Sequence, residues 1–63
     1  MKVTILTPAV AAIRYNHIVG PLTPYVVAAP DGAYAGPSFA WAEAFAASYV
    51  DAGIIPATNV CYL

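Results

Sequence analysis

Six prolines divide the chain into segments that are each about as long as one helix or strand. They stand at positions 8, 21, 24, 30, 37 and 56 of a 63-residue sequence. Because proline lacks a backbone N–H and fixes φ, a regular element rarely continues through it. The chain therefore has to build its fold from several short elements. No internal repeat or low-complexity linker interrupts this pattern, so we expect one small domain over residues 1–63.

Several of these segments predict β-strands. Residues 3–7 are rich in β-branched side chains and end at the first proline, which is typical of a strand. Residues 24–29 predict a second strand that leads into the sequence Pro-Asp-Gly at 30–32, a tripeptide suited to a tight turn. Residues 33–35 then return as the partner strand of a β-hairpin. Near the C-terminus, residues 59–63 predict a last strand.

The clearest helix is predicted over residues 38–52. Ser38 is a suitable N-cap, alanine-rich sequence follows it, and Gly53 is suited to a left-handed C-cap. By their i, i+4, i+8 spacing, the aromatic side chains of the helix share one stripe: Trp41, Phe45 and Tyr49. An aromatic stripe at helical spacing is typical of a core or an oligomer contact, more than of a ligand site.

Residues 9–19 are compatible with two structures. The segment has the start and stop signals of a short helix, with Thr7 and Pro8 at one end and Gly20 at the other. Residues 13–19, however, alternate as a half-buried strand does, and β-branched and aromatic side chains fill them. We favour the strand and leave the helix open. The predicted fold class is α+β: a small antiparallel sheet of three to four short strands with the helix over 38–52 packed on one face.

Charged side chains are scarce. They make up 8% of the sequence, against 62% apolar residues, whereas a soluble surface carries about 25 to 35% charge. A chain of this length also buries only about 60% of its unfolded surface. One cysteine cannot form an internal disulfide, and no metal-ligand spacing occurs, so we expect neither a metal nor a cofactor. Association is the remaining way to stabilise such a chain, and we predict a homo-oligomer or, alternatively, a partner with an apolar surface.

The helix over 38–52 offers a surface for this association. Its only polar stripe consists of Glu43, Ala47 and Asp51, so the helix is apolar well beyond the side that faces the sheet. Small side chains allow a close approach of two helices. We therefore expect oligomer contacts at four positions of this helix: Ala40, Trp41, Ala44 and Ala47.

A single cluster carries most of the functional side chains, namely Arg14, Tyr15, Asn16 and His17. Arginine suits carboxylate or phosphate, and the other three add hydrogen-bonding groups and a ring that titrates near neutral pH. With Tyr34, an amphipathic side chain of the type enriched at interfaces, they are the candidate ligand or partner-binding residues. The alternative interpretation of the cluster is a surface arginine, a core tyrosine and a histidine satisfied by the backbone.

Composition and motifs disfavour several function classes. The longest charge-free run, residues 15–30, contains three prolines and a glycine and does not suit a membrane span. A net charge of -1 without a basic stripe does not favour nucleic-acid binding. No common hydrolase, phosphate-loop, dinucleotide or metalloprotease motif occurs, which makes an enzyme the less favoured class. A free thiol without an export signal favours the cytoplasm.

Two functional hypotheses follow. The first is a non-enzymatic interaction protein that forms a homo-oligomer and binds a macromolecular partner, as short accessory or phage-encoded reading frames often specify. The alternative is an oligomeric binder of a small anionic or nucleotide-like ligand, with Arg14, Asn16 and His17 at a subunit interface. A minimal enzyme that uses His17 as a base is a third, less favoured hypothesis. The oligomeric state and the response to small anions separate them.

Overall fold

A computed structural model describes all 63 residues as a four-stranded sheet with one helix on each face. The predicted α+β class with one main helix is confirmed. The elements are β1 (Val3–Leu6), α1 (Pro8–Arg14), β2 (Tyr25–Ala29), β3 (Gly32–Gly36), α2 (Phe39–Asp51) and β4 (Val60–Tyr62), with a 3₁₀ turn at Ala57–Asn59 before β4.

The strand order in the sheet is β3-β2-β1-β4. The first three strands pair antiparallel, as predicted, with Thr4 opposite Ala28 and Val26 opposite Ala35. The last strand differs from the prediction, because β4 pairs parallel with β1. Helix α2 explains the difference: it carries the chain back along the sheet, so that the strand after it runs in the direction of β3 and β1. The sheet is therefore mixed.

The hairpin between β2 and β3 forms where the sequence predicts it. Ala29 pairs with Gly32, which leaves Pro30 and Asp31 as a two-residue loop. Gly32 has a φ of +146°, a conformation that residues with a side chain rarely adopt. Because Gly32 can adopt this conformation, β3 begins directly after the two-residue loop.

Both predicted ends of α2 are also confirmed. The Ser38 Oγ accepts a hydrogen bond from the Trp41 N–H at 3.1 Å. At the other end, Gly53 has a φ of +76° and donates to Val50, while Ile54 donates to Tyr49. These two bonds are those of a Schellman motif, which satisfies carbonyls that the end of a helix leaves free.

The strand favoured over residues 13–19 is wrong, because the chain there forms the end of α1 and a turn. Pro8 occupies the first turn of α1, and the alanines after it favour the helix. The helix ends early, at Arg14, because Tyr15 leaves the helical conformation and its carbonyl accepts from Ile18 and Val19. Ile18 and Val19 pack against the sheet, whereas Ile13 and His17 are exposed, so the alternating residues do not share one buried side.

Two separate cores lie on the two faces of the sheet, since successive strand side chains point to opposite sides. The face under α2, here the α2 face, holds the larger core: Val3, Ile5, Val27, Ala42, Ala46, Tyr49 and Ile55. The opposite face, here the α1 face, holds Leu6, Ala11 and Val26. Only 11 of the 63 residues are buried in total. Helix α1 is short, and Thr4, Ala28 and Cys61 on the α1 face are only half-buried.

Candidate functional site

The outward side of α2 carries a row of exposed alanines. Ala40, Ala44 and Ala47 are spaced i, i+4 and i+7, so they share one side of the helix, and all three are exposed. We call these three residues the alanine face. The Phe39 side chain adjoins it at the first turn and is 43% exposed. Glu43, half-buried and hydrogen-bonded to Tyr62, lies between Phe39 and Ala47 on the same side of the helix, and Asp51 follows at the last turn.

Trp41, the fourth predicted oligomer contact, lies elsewhere. It is half-buried between α2 and β3, with its ring 5.2 Å from that of Phe45. A Cβ added to Gly36 would overlap the Trp41 ring, which shows how closely the indole lies on the β3 backbone. Trp41 therefore has a packing role inside the chain.

The five predicted ligand or partner residues do not form one site. Tyr34 lies on the α2 face, where its ring packs 5.0 Å from that of Phe45. Arg14 ends α1 on the other side of the sheet, where a cation interacts favourably with the last helical carbonyls. The structure therefore separates Tyr34 from the Arg14–His17 cluster.

The Arg14–His17 cluster itself divides into two pairs. Arg14 and Tyr15 line a pocket against the sheet, whereas Asn16 and His17 are exposed and lie outside its lining. The His17 ring is 6.2 Å from the ring of Tyr15, and no side-chain hydrogen bond involves any of the four residues. No group within hydrogen-bond reach thus orients His17 for proton transfer.

The pocket beside α1 has a volume of about 180 Å³. We call it the α1 pocket. Both cationic side chains of the protein, Lys2 and Arg14, line it, and no acidic side chain does. The remaining lining residues are Thr4, Leu6, Tyr15, Ala28 and Leu63.

Sequence reasoning missed the part of this pocket that β1 contributes. Lys2 and Thr4 alternate with Val3 and Ile5, so they fall on the same face as Leu6. That alternation was visible in the sequence. It could be connected to Arg14 only by recognising that a helix follows β1 directly and packs back against Leu6.

The acidic side chains occupy the other side of the molecule. The Tyr49 hydroxyl donates to Asp31 Oδ1 at 2.7 Å, and the Tyr62 hydroxyl donates to Glu43 Oε1 at 2.9 Å. The hydrogen bond to Asp31, together with burial and the negative charge, raises the pKa of Tyr49 to about 12. The hydrogen bond to Glu43 likewise raises the pKa of Tyr62. Each of these two carboxylates thus has a tyrosine partner.

A shallow groove of about 250 Å³ runs between α2 and β4. Glu43 and Asp51 line it together with alanine and valine side chains. The acidic side chains therefore lie around α2, whereas Lys2, Arg14 and Leu63 line the pocket beside α1.

Nowhere do three or more histidine, cysteine or acidic side chains converge as metal ligands. The longest helix has 13 residues, and neither helix has the length and apolar character required to cross a membrane.

No family model matches the chain, and neither a curated protein nor a solved structure matches it.

Proposed function

We propose that this protein is a non-enzymatic interaction protein that forms a homo-oligomer through α2 and binds a protein partner. The observation that carries the proposal is the alanine face, with the half-exposed Phe39 at its end. Three methyl side chains in a row let a second helix approach at the short end of the usual 8–10 Å interaxial distance. An isologous pair of α2 helices would bury this surface in both copies at once.

The small number of buried residues in this short chain supports association. Its accessible surface is 3701 Å², close to the roughly 3,800 Å² expected for a monomer of this mass. A standard interface covers about 800 Å² of each partner, or about a fifth of that surface. Covering Phe39 and the alanine face would add apolar burial to a chain that has only 11 buried residues.

Sedimentation equilibrium tests the proposed oligomer. We expect a mass of at least twice the 6.5 kDa of one chain at about 100 μM, and a mass near 6.5 kDa for Ala44→Lys. Lysine is almost as good a helix former as alanine, so the substitution should leave the circular dichroism of α2 intact. A wild-type protein that stays monomeric up to about 1 mM would contradict the proposal.

Ala12→Lys is the matched control. Ala12 is also an exposed helical alanine, but it lies on α1, and the substitution adds the same charge. We expect this variant to associate as the wild type does. Equal loss of association in the two variants would show that net charge, and not the alanine face, governs self-association.

The surface proposed for a protein partner is the segment 13–22. Ile13 and Leu22 are 81% and 83% exposed, the highest values among the large apolar side chains, and they flank the exposed Asn16 and His17. Apolar side chains beside polar ones are the composition of an interface core and its rim. A photo-crosslinking residue at position 22 should give one discrete heteromeric product in host extract. The same residue at the exposed position Thr58 should not give that product.

The placement of His17 supports a binding role over a catalytic one. A general base requires an orienting partner and a place for the substrate within hydrogen-bond reach. His17 hydrogen-bonds to no side chain and does not line the α1 pocket. Of the three residues in the alternative hypothesis of a bound anion, Arg14 lines a pocket of the single chain, whereas Asn16 and His17 are exposed outside it.

A further inference from the structure

The strand β3 forms one edge of the sheet, and its outer side has no partner within the chain. Its five residues pair with β2, and no loop backbone or side chain hydrogen-bonds to them. Both helices pack over β1 and β2. In an antiparallel edge strand, alternate residues point their N–H and C=O groups away from the neighbouring strand. The outer side of β3 therefore offers backbone donors and acceptors that match an added extended strand.

The strand β3 lacks the features that protect most edge strands from pairing. Natural edges carry lysine, proline or a β-bulge, or they are very short. The sequence of β3 is Gly-Ala-Tyr-Ala-Gly, and each of its residues has one partner in β2, so it has no charge, no proline and no bulge. The opposite edge strand, β4, has only three residues. Strand addition is therefore favoured at β3.

The sequence of β3 reads the same in both directions about Tyr34. Ala33 mirrors Ala35, and Gly32 mirrors Gly36. In an antiparallel pair of two copies, with a two-fold axis at Tyr34, alanine lies opposite alanine and ring lies beside ring. No charged side chain meets another across this axis, because β3 has none. The strand is thus complementary to itself, which favours a second copy of the chain as its occupant.

We propose that β3 pairs antiparallel with β3 of a second copy, centred on Tyr34, so that two four-stranded sheets join into one. The Tyr34 ring lies on the α2 face and is 38% exposed, so two such rings can cover each other as a cross-strand aromatic pair. Gly36 is buried beside the Trp41 ring, so the pairing is strongest over Ala33, Tyr34 and Ala35.

This contact is weak by itself and separate from the contact proposed for α2. A pairing over so few residues buries less than the roughly 1,000 Å² of a stable interface, so we expect a dissociation constant in the millimolar range. The alanine face lies on the outward side of α2, whereas β3 associates through the edge of the sheet. A chain that uses both contacts forms assemblies larger than a dimer at millimolar concentration.

Disulfide trapping tests both the pairing and its register. Ala33→Cys and Ala35→Cys are each combined with Cys61→Ser, which removes the natural thiol, and with Ala44→Lys, which removes the contact through α2. In the proposed register, position 33 of one copy lies opposite position 35 of the other, so a disulfide forms when the two variants are mixed. In either variant alone the two thiols are diagonal neighbours with Cα atoms roughly 7–8 Å apart, beyond the range of a disulfide.

At about 1 mM protein and under mild oxidation, we expect at least about fivefold more covalent dimer from the mixture than from either variant alone. Equal yields would indicate random collision, and a higher yield from one variant alone would indicate another register. Either result would overturn the proposal. Because both variants carry Ala44→Lys, the outcome does not depend on whether α2 associates.

Amide shifts give a second measurement without new cysteines. In Ala44→Lys, diluted from about 3 mM to about 0.1 mM, we expect saturable shifts at Ala33, Tyr34 and Ala35. Amides of β3 that do not respond to concentration would overturn the self-pairing. So would a covalent adduct of Ala33→Cys with a different protein in host extract when the purified mixture forms no dimer, since the edge would then accept a foreign strand.

Discussion

The two faces of the sheet differ in what covers them and in which charges they carry. The α2 face buries Val3, Ile5 and Val27 under a 13-residue helix, and its carboxylates are bonded to tyrosines. The α1 face buries Leu6 and Val26 under a seven-residue helix, and Lys2 and Arg14 lie beside it. The comparison indicates that the α2 face, with the larger core and the longer helix, supplies most of the stability.

The largest expected effect compares a core residue from each face. Ile5→Ala should lower the free energy of unfolding by about 4 kcal/mol, and Leu6→Ala by about 2 kcal/mol. Both side chains are 1% exposed, but the thinner cover over Leu6 can collapse more readily into the space that is left. Urea denaturation followed by circular dichroism measures both values. A larger loss for Leu6→Ala would contradict the expectation that the core under α2 contributes more to stability than the core under α1.

The loss of stability expected for Ile5→Ala is comparable to the total stability of the protein. A 63-residue domain has about 3 to 9 kcal/mol of stability in total. If Ile5→Ala is too unstable to measure, Ile5→Val, expected to cost about 1 kcal/mol, gives the same test at smaller amplitude.

The second prediction concerns close packing between β3 and α2. Gly36→Ala should destabilise the protein by about 1 to 3 kcal/mol, because the new methyl group overlaps the Trp41 ring. Gly20→Ala, in the loop before β2, is the control and should stay within about 0.5 kcal/mol. At Gly20 the nearest atom to an added Cβ is the Thr23 hydroxyl oxygen at 3.3 Å, at the end of a side chain. Equal losses at the two glycines, measured by urea denaturation, would contradict this packing.

The third prediction compares the N-caps of the two helices. Ser38→Ala should cost about 1 kcal/mol, because it removes the hydrogen bond to the Trp41 N–H. Thr7 also precedes a helix, but its side chain makes no capping bond, so Thr7→Ala should cost less than about 0.5 kcal/mol. Thermal unfolding of the two variants at one protein concentration gives the ordering. A reversed order would show that α1 is the better-anchored helix.

The smallest expected effect is a change in one titration. Tyr49 should ionise near pH 12, and Asp31→Asn should bring its pKa down toward 10. Because the folded-state pKa lies above the unfolded value, this hydrogen bond stabilises the fold below about pH 10, and the contribution is lost as the pH rises from 10 to 12. Absorbance at about 295 nm, with Tyr49→Phe to assign the signal, follows the ionisation. An unchanged titration curve in Asp31→Asn would exclude the contact with Asp31 as the cause.

Local signals in the sequence were sufficient for most of the α2 face. Ser38, Gly53 and the Pro-Asp-Gly turn each act on the residues next to them, so their structure follows from a few neighbouring side chains. The parallel pairing of β4 could not be predicted in this way, since it depends on where α2 delivers the chain. The strand prediction over residues 13–19 was wrong for a related reason. A short alternating pattern does not by itself distinguish a strand from a helix end and turn whose apolar side chains contact the sheet.

The candidate sites were predictable to different extents. The alanine face follows from helical spacing once α2 is assigned, and its three residues are all exposed in the structure. Arg14 and Tyr15 were predicted as candidate binding residues, whereas Lys2 and Thr4, which line the same pocket, were not, because only the packing of α1 against β1 brings the four together. Tyr34 was grouped with Arg14 on residue type alone, and the sheet places the two on opposite faces.

The proposed self-association through α2 is tested most directly by a dilution series of amide NMR spectra from about 1 mM to 10 μM. The account predicts concentration-dependent shifts at Ala40, Ala44 and Ala47, with Thr4 and Arg14 on the other side unchanged. Spectra that do not depend on concentration would contradict it, and so would changes confined to the α1 side.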